Sequence, residues 1–229
     1  GGALSRCLSV MTVVTAVVAC TTTRYVPEGE YLLGQVRMVN QGNYPDANSG
    51  NMRDYVRQSP NTRWFSLVKL PLLTYSLSGR DTTRRVNRLL RSMGEEPVLY
   101  SQPSTDLTCA DLQQELYNRG YLHAGVEAIV RQKGRRKKNV TYVMKPGEPF
   151  FLHNIRYDIA DTVIAQLLQA TGDSTQRLIA EGQKFDASRI DAERKRIAQL
   201  LADNGYSRFH KEYIVYDADT MAGSRLIDL

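Results

Sequence analysis

Cysteine and histidine are the side chains with which this chain could do covalent or metal chemistry, and its 229 residues hold three of each. Cys20 has the most telling context. Arg6 precedes the apolar run Leu8-Ser9-Val10-Met11-Thr12-Val13-Val14-Thr15-Ala16-Val17-Val18-Ala19, whose small last residues stand directly before the thiol. Roughly a dozen apolar residues make a secretory signal core and fall short of the about 20 that a membrane-spanning helix needs. Val17-Val18-Ala19-Cys20 has the form of a bacterial lipobox, in which the cysteine is diacylated and becomes the new N-terminus. The expectation is a lipoprotein signal peptide over residues 1–19, with the lipid, palmitate among its acyl chains, attached at Cys20. Cys7 then leaves with the signal and Cys109 stands single, so no disulfide is expected. Cys109 shares a helical face with Leu112 and Leu116 and reads as a buried, inert thiol.

His123, His153 and His210 lack metal-ligand spacing with each other or with cysteine and read as polar residues at strand edges. There is no nucleophile elbow, phosphate-binding glycine loop or EF-hand loop. In Asp191-Ala192-Glu193-Arg194-Lys195-Arg196 acids and bases mix as on a solvated helix face. No catalytic, cofactor-binding or metal-binding residue is expected, and the segment does not read as an enzyme.

The charge balance points to surfaces instead. A net charge of +6 and a pI near 9.2 favour anionic partners. Gln132-Lys133-Gly134-Arg135-Arg136-Lys137-Lys138-Asn139 is a basic hairpin tip that suits solvent, anionic lipid or nucleic acid. It lacks the interleaved aromatics that stack bases, which disfavours nucleic acid. Arg84 to Met93 spaces Val86, Leu89, Leu90 and Met93 as a basic amphipathic helix, for a solvated face or a membrane. Trp64 to Tyr75 concentrates large apolar residues around Pro71. It reads as a loop over a core, or as a surface for lipid headgroups or a neighbouring domain.

These residues are positioned by a unit that occurs twice. Leu112, Leu116, Gly120 and Tyr121 recur as Ile197, Leu201, Gly205 and Tyr206, and 197 − 112 and 205 − 120 both give 85. Two branched residues four apart lie on one helical face, and the glycine after them reads as a left-handed C′ cap. Downstream, Gly125 to Val130 answers His210 to Val215, and Val140 to Val143 answers Arg225 to Asp228, each pair a probable hairpin. Upstream, Gln35 to Met38 resembles Asn154 to Tyr157 at an offset of 154 − 35 = 119. Each unit therefore reads strand, helical region, capped helix, strand, strand, an α+β fold.

In chain order, residues 20–30 form a tether and Tyr31 to Val39 the first strand. Gln41 to Gly50 is a loop and Met52 to Gln58 a short helix. An insertion covers about residues 59–100, and Asp106 caps the helix that carries Leu112. Strands from about His123 to Arg131 and Val140 to Met144 complete the first domain, residues 31–147. Lys145-Pro146-Gly147-Glu148-Pro149 is a stiff link. The second domain, residues 148–229, opens with a strand from Phe150 to Ile159 and a helix from Asp161 to Ala170. A second helix starts near Asp186 or Ser188, with Ser188 and Asp191 spaced as a capping box. Strands near Phe209 to Asp217 and Ser224 to Leu229 close it.

The order strand, helix, helix, strand, strand, with glycine and an aromatic after the second helix, resembles the POTRA (polypeptide-transport-associated) domain. Tyr25-Val26-Pro27-Glu28-Gly29-Glu30-Tyr31-Leu32-Leu33 is similar to the start of the lipid-anchored TamA/BamA-type outer-membrane assembly factors of Bacteroidetes. So are Lys69-Leu70-Pro71-Leu72, Gly94 to Tyr100, Asn118 to Ala124 and Tyr206 to Tyr216. The resemblance implies tandem POTRA domains, each a three-stranded mixed sheet with helices on one face, anchored by lipid and facing the periplasm. It implies a downstream membrane β-barrel, clients that are unfolded outer-membrane precursors or secreted polypeptides, and a possible periplasm-spanning partner.

In POTRA domains the strand after the second helix lies at a sheet edge, where free main-chain groups can pair with an extended peptide. That nominates Gly125, Val126, Glu127, Ala128, Ile129 and Val130, and Lys211, Glu212, Tyr213, Ile214, Val215 and Tyr216. Those edges could instead pair with neighbouring domains or face water, and a scaffold lipoprotein that docks envelope partners without binding clients is the competing reading.

Overall fold

The computed structural model describes residues 26–48, 50, 52–61, 96–170 and 177–229. Cys7, Cys20 and the signal run, Trp64 to Tyr75 and Arg84 to Met93 lie outside the described residues. The described elements include helices α1 (Gln102–Asn118), α2 (Thr162–Ala170) and α3 (Ala187–Asp203). The strands are β1 (Leu32–Asn40), β2 (Gly125–Gln132), β3 (Lys137–Lys145), β4 (Phe151–Asn154), β5 (Asp219–Thr220) and β6 (Leu226–Asp228). They gather into two compact units. Among the described residues, the first holds those up to Asn40 with those in 48–110 and 126–143, and the second holds those in 41–47, 111–125 and 144–229.

The fold is α+β, with two three-stranded sheets ordered β1-β3-β2 and β4-β6-β5. In the first sheet, Leu32 N–H donates to the Arg136 carbonyl and Gln41 N–H to that of Met144. Both bonds run the same way along the chain, so β1 and β3 are parallel. Only four residues separate β2 from β3, too few for a parallel crossover, so that pair is an antiparallel hairpin. In the second sheet β4 pairs parallel with β6 and β5 antiparallel. The two sheets thus repeat one topology, third strand in the middle.

In the first unit Tyr142, 1% exposed, hydrogen-bonds Thr105 and Thr108 of α1, which seats that helix on the sheet. The Asn61 amide donates to the Glu96 carbonyl at 2.6 Å and accepts from Val98 N–H at 3.0 Å. Gln58 likewise bridges the Leu99 carbonyl and Ser101 N–H. So held, residues 98–100 run beside the start of β1, with Leu33 N–H bonded to Val98 and Tyr100 N–H to Tyr31. The stretch expected to be a short helix makes only a 3-10 turn, Arg53–Tyr55. In the second unit Phe150, Leu152, Ile179, Phe185, Ile190 and Ile227 form the core between α3 and its sheet. Leu168 of α2 packs on Ile197 and Leu201 behind it.

The start of α3 agrees with the spacing-based reading, and that of α1 does not. α1 begins four residues before Asp106, because the Ser101 hydroxyl accepts from Ser104 N–H and supplies the cap earlier. α3 is capped by Asp186, whose carboxylate accepts from Ser188 and Arg189 N–H. The Ser188–Asp191 capping box is therefore not formed. Asp191 pairs with Lys195 and Lys211, which hold its carboxyl down at about 2. Glu193, wholly buried, accepts from Arg196 Nε and Nη2 and from Leu178 N–H, and so ties residue 178 to α3.

Helix ends agree in detail. Tyr121 N–H donates to the Leu116 carbonyl and Gly120 N–H to Tyr117; Tyr206 N–H donates to Leu201 and Gly205 N–H to Ala202. Both are Schellman caps with glycine at C′, at φ of 86° and 98°. Leu112, Leu116, Ile197 and Leu201 are all buried. The strand that follows is not repeated. Lys211–Tyr213 is a 3-10 turn, residues 214–218 carry no strand, and β5 lies at Asp219–Thr220. The expected strand through Lys211, Glu212, Tyr213, Ile214, Val215 and Tyr216 is therefore corrected. Its Lys211 ammonium is held by Asp191, and its Lys211 carbonyl by the Arg194 guanidinium, which curls the chain onto α3. β4 is also shorter than expected, although Arg156 N–H to Leu229 and Leu229 N–H to Asn154 carry the ladder past its end.

The two caps differ in surroundings. A Cβ at Gly120 would fall on the Phe185 carbonyl oxygen, whereas nothing lies near a Cβ at Gly205. Gly205→Ala is expected to cost about 1 kcal/mol from the left-handed backbone alone. Gly120→Ala costs that plus the displacement of the Phe185 carbonyl, and thermal melts of the two variants should show the larger drop at Gly120.

Candidate functional site

The first sheet leaves β2 with a neighbour on one side only. Its residues alternate. Val126, Ala128 and Val130 are half-buried on the helix side, and Glu127, Ile129 and Arg131 are exposed on the other. Gly125, Val126, Glu127, Ala128, Ile129 and Val130 thus lie in an edge strand. The opposite edge, at β1, is partly occupied by residues 98–100 through the Leu33 and Tyr100 bonds. That leaves β2 as the long edge of this sheet among the described residues.

The face beside that edge is open. Gln35 and Arg37 of β1, Ile129 and Arg131 of β2, Lys133 of the turn, and Asn139 and Thr141 of β3 line a shallow groove. Ile129 is 42% exposed and Val39, farther along β1, 45%. Gly134, at φ 73°, closes the turn, and Lys133 N–H bonds the Lys137 carbonyl across it. β3 starts at Lys137, so the basic tip is shorter than the sequence reading, residues 133–136. Lys138 lies over the rings of Tyr31 and Tyr100, and Arg136 donates to the Val26 carbonyl. Those two cations are structural; the groove cations are not.

In the second unit a half-exposed polar cluster surrounds the buried Tyr121 ring. Tyr121, 1% exposed, donates its hydroxyl to Asp46 Oδ1 at 2.7 Å. Lys184 pairs with Asp46 Oδ2 and stands 4.0 Å over the Tyr121 ring. The Arg119 guanidinium donates to the Asp46 carbonyl and pairs with Glu115 at 2.6 Å. Gly120 C=O accepts from Phe150 N–H at 2.8 Å, and Phe185 N–H donates to Phe150 C=O. Burial acts to raise the Asp46 carboxyl, but the bonds from Lys184 and Tyr121 outweigh it and hold the group below the ordinary aspartate range. Burial and the Asp46 carboxylate push the Tyr121 hydroxyl up. Sequence reasoning singled out Gly120 and Tyr121 and missed Asp46 and Lys184, whose separation by 138 residues leaves no local signal.

The other nominated residues are dispersed. Tyr213 and Val215 are exposed, with Tyr213 against the Phe209 and His210 rings. His153 lies in β4 and bonds Asp228 at 2.9 Å, whereas His123 packs edge-on to Phe150 and precedes β2, so only His153 is a strand residue. Cys109 is half-buried, and burial with the Asp106 charge pushes its thiol up. Among the described residues, no three His, Cys, Asp or Glu gather where they could hold a metal ion. None of the described helices is long and apolar enough to cross a membrane.

No protein-family model and no curated protein matches the chain. Among solved structures it is similar to BamA from Haemophilus ducreyi lacking POTRA domains 1–3, at 12% identity and a TM-score of 0.41, covering 86% of this chain and 28% of that one. The chain therefore spans about a quarter of that BamA chain. It is also similar to POTRA1-2 of the periplasmic domain of Omp85 from Anabaena, at 10% identity and a TM-score of 0.38, covering 88% of this chain and 94% of the other. BamA POTRA3-5 from Haemophilus influenzae aligns at 12% identity and a TM-score of 0.33, over 89% and 97% of the two chains. Scores this low leave the fold to be read from the chain's own topology.

The Asp46 carboxyl titrates lower folded than unfolded, so its stabilisation is complete above the ordinary aspartate range and is lost as pH falls through the folded value. Asp46→Asn should be less stable than the parent at neutral pH, by about 0.5 kcal/mol given its solvent screening. That gap should close as urea titrations move from about pH 5 to about pH 2.

Proposed function

We propose that this chain is a tandem POTRA segment, residues 31–147 and 148–229, of an outer-membrane protein assembly or translocation factor. It faces the periplasm, is tethered by lipid on Cys20, and captures extended polypeptide for a downstream β-barrel. The observation that carries this reading is the repeated topology. Each copy puts its third strand in the centre, parallel to the first, after a helix with a glycine Schellman cap. In the first copy, the strand after that helix lies at the edge.

An edge strand offers main-chain donors and acceptors that pair with any extended chain, which suits a receptor for many clients. β2 takes this role. The segment 211–216 does not, because it is curled onto α3. A scaffold that never touches clients would instead bind one partner stoichiometrically and show no affinity for barrel-strand peptides.

In an antiparallel ladder successive residues direct their N–H alternately to the neighbour and to the open side. Proline at Ala128 and, separately, at Ile129 therefore removes one inward and one outward donor. One variant should melt like the parent yet bind a peptide from a barrel strand at least about tenfold more weakly, a loss of about 1.4 kcal/mol. The other should lose stability. Undiminished binding by the stable variant would rule out edge capture. For the anchor, expression of the full-length protein in a Gram-negative host should give a mature mass raised by acyl groups and a membrane-associated product. Both should vanish in Cys20→Ala; an unacylated, soluble mature protein would exclude the lipid tether.

A further inference from the structure

Arg37, Arg131 and Lys133 stand around one groove on the open face of the first sheet, and none of the three is paired with a carboxylate among the described residues. Arg135, exposed in the turn, extends the same basic surface. Several cations elsewhere among the described residues are engaged: Arg196 with Glu193, Lys211 with Asp191, Arg119 with Glu115, Lys138 over two tyrosines. Unneutralised like charges packed on one sheet face repel one another, so the groove is a standing demand for anions. Asn139 and Thr141 on the middle strand add an amide and a hydroxyl to its floor.

Position on the edge decides which anion fits. Ile129, Arg131 and Lys133 share one parity on and just past β2, and they point to the open face. A strand added beside β2 places every second side chain on that same face, opposite or diagonal to this row. We infer that the β2 edge selects extended peptides with acidic side chains at two alternate positions, set beside Arg131 and Lys133, and an apolar side chain beside Ile129. This rests on the edge-capture reading and adds a side-chain code to main-chain pairing.

The test uses the full chain and three synthetic Val/Thr-rich peptides: one with Glu at two alternate positions, its Gln isostere, and one with the two Glu side chains on opposite faces. Titration followed by fluorescence anisotropy should show the first binding about fivefold more tightly than the Gln peptide, from two cross-strand charge pairs. The advantage should fall as salt rises and disappear in Arg131→Gln/Lys133→Gln, two exposed changes that leave the melting temperature unmoved. Equal affinity of the Glu and Gln peptides overturns the code, and if the stable proline variant still abolishes their binding, edge capture itself stands. Equal affinity of the two Glu peptides, or a preference that survives Arg131→Gln/Lys133→Gln, also overturns it. Absence of binding by any peptide overturns both the code and the edge reading.

Discussion

Gly120 is held at one backbone conformation by two requirements at once. The Schellman cap needs a left-handed residue there, with Tyr121 N–H returning to Leu116, and the Phe185 carbonyl leaves no room for a Cβ. The Gly120 carbonyl in turn accepts from Phe150 N–H, one residue before β4. The turn that ends α1 therefore sets where the next chain segments start. Tyr121 secures it from the other side through Asp46, which is itself fixed by Lys184. A surface helix end needs only the glycine, as Gly205 illustrates; this one is built into a core.

In β2, Val126, Ala128 and Val130 turn to the helix side and Ile129 and Arg131 turn outward. A slip by one residue would exchange the two rows and bury the cations. The register of β2 thus decides both how the first unit covers its core and which side chains an added strand would meet. Capture through the main chain and selection through the groove depend on one alignment.

The two copies diverge where local contacts outcompete the ladder. At an offset of 85, β5 at Asp219 corresponds to residue 134, the hairpin tip of the first copy, since 219 − 85 gives 134. The residues that should match β2 are instead drawn onto α3 by Asp191 and Arg194. The parallel pair survives: 151 − 119 gives 32, so β4 and β1 start in register with the older offset. Helix, cap and central strand are the conserved geometry of the repeat; its second strand is free to vary.

Local patterns determined much of this. Helical spacing of Leu112, Leu116, Ile197 and Leu201 and the glycines after them were legible, because each acts within a few residues. The α+β order followed from them, whereas the edge position of β2 came from the resemblance to POTRA domains. Helix starts were less legible, since Ser101 and Asp186 compete with equally plausible neighbours for the same N–H groups. The tertiary structure alone decided the rest. A carboxylate at 46 meets an ammonium at 184, a 3-10 turn replaces a strand at 211–213, and three cations from β1, β2 and the turn converge on one face. Those outcomes turn on pairings between residues far apart in the chain, whose energies exceed the weak β preference of any single segment.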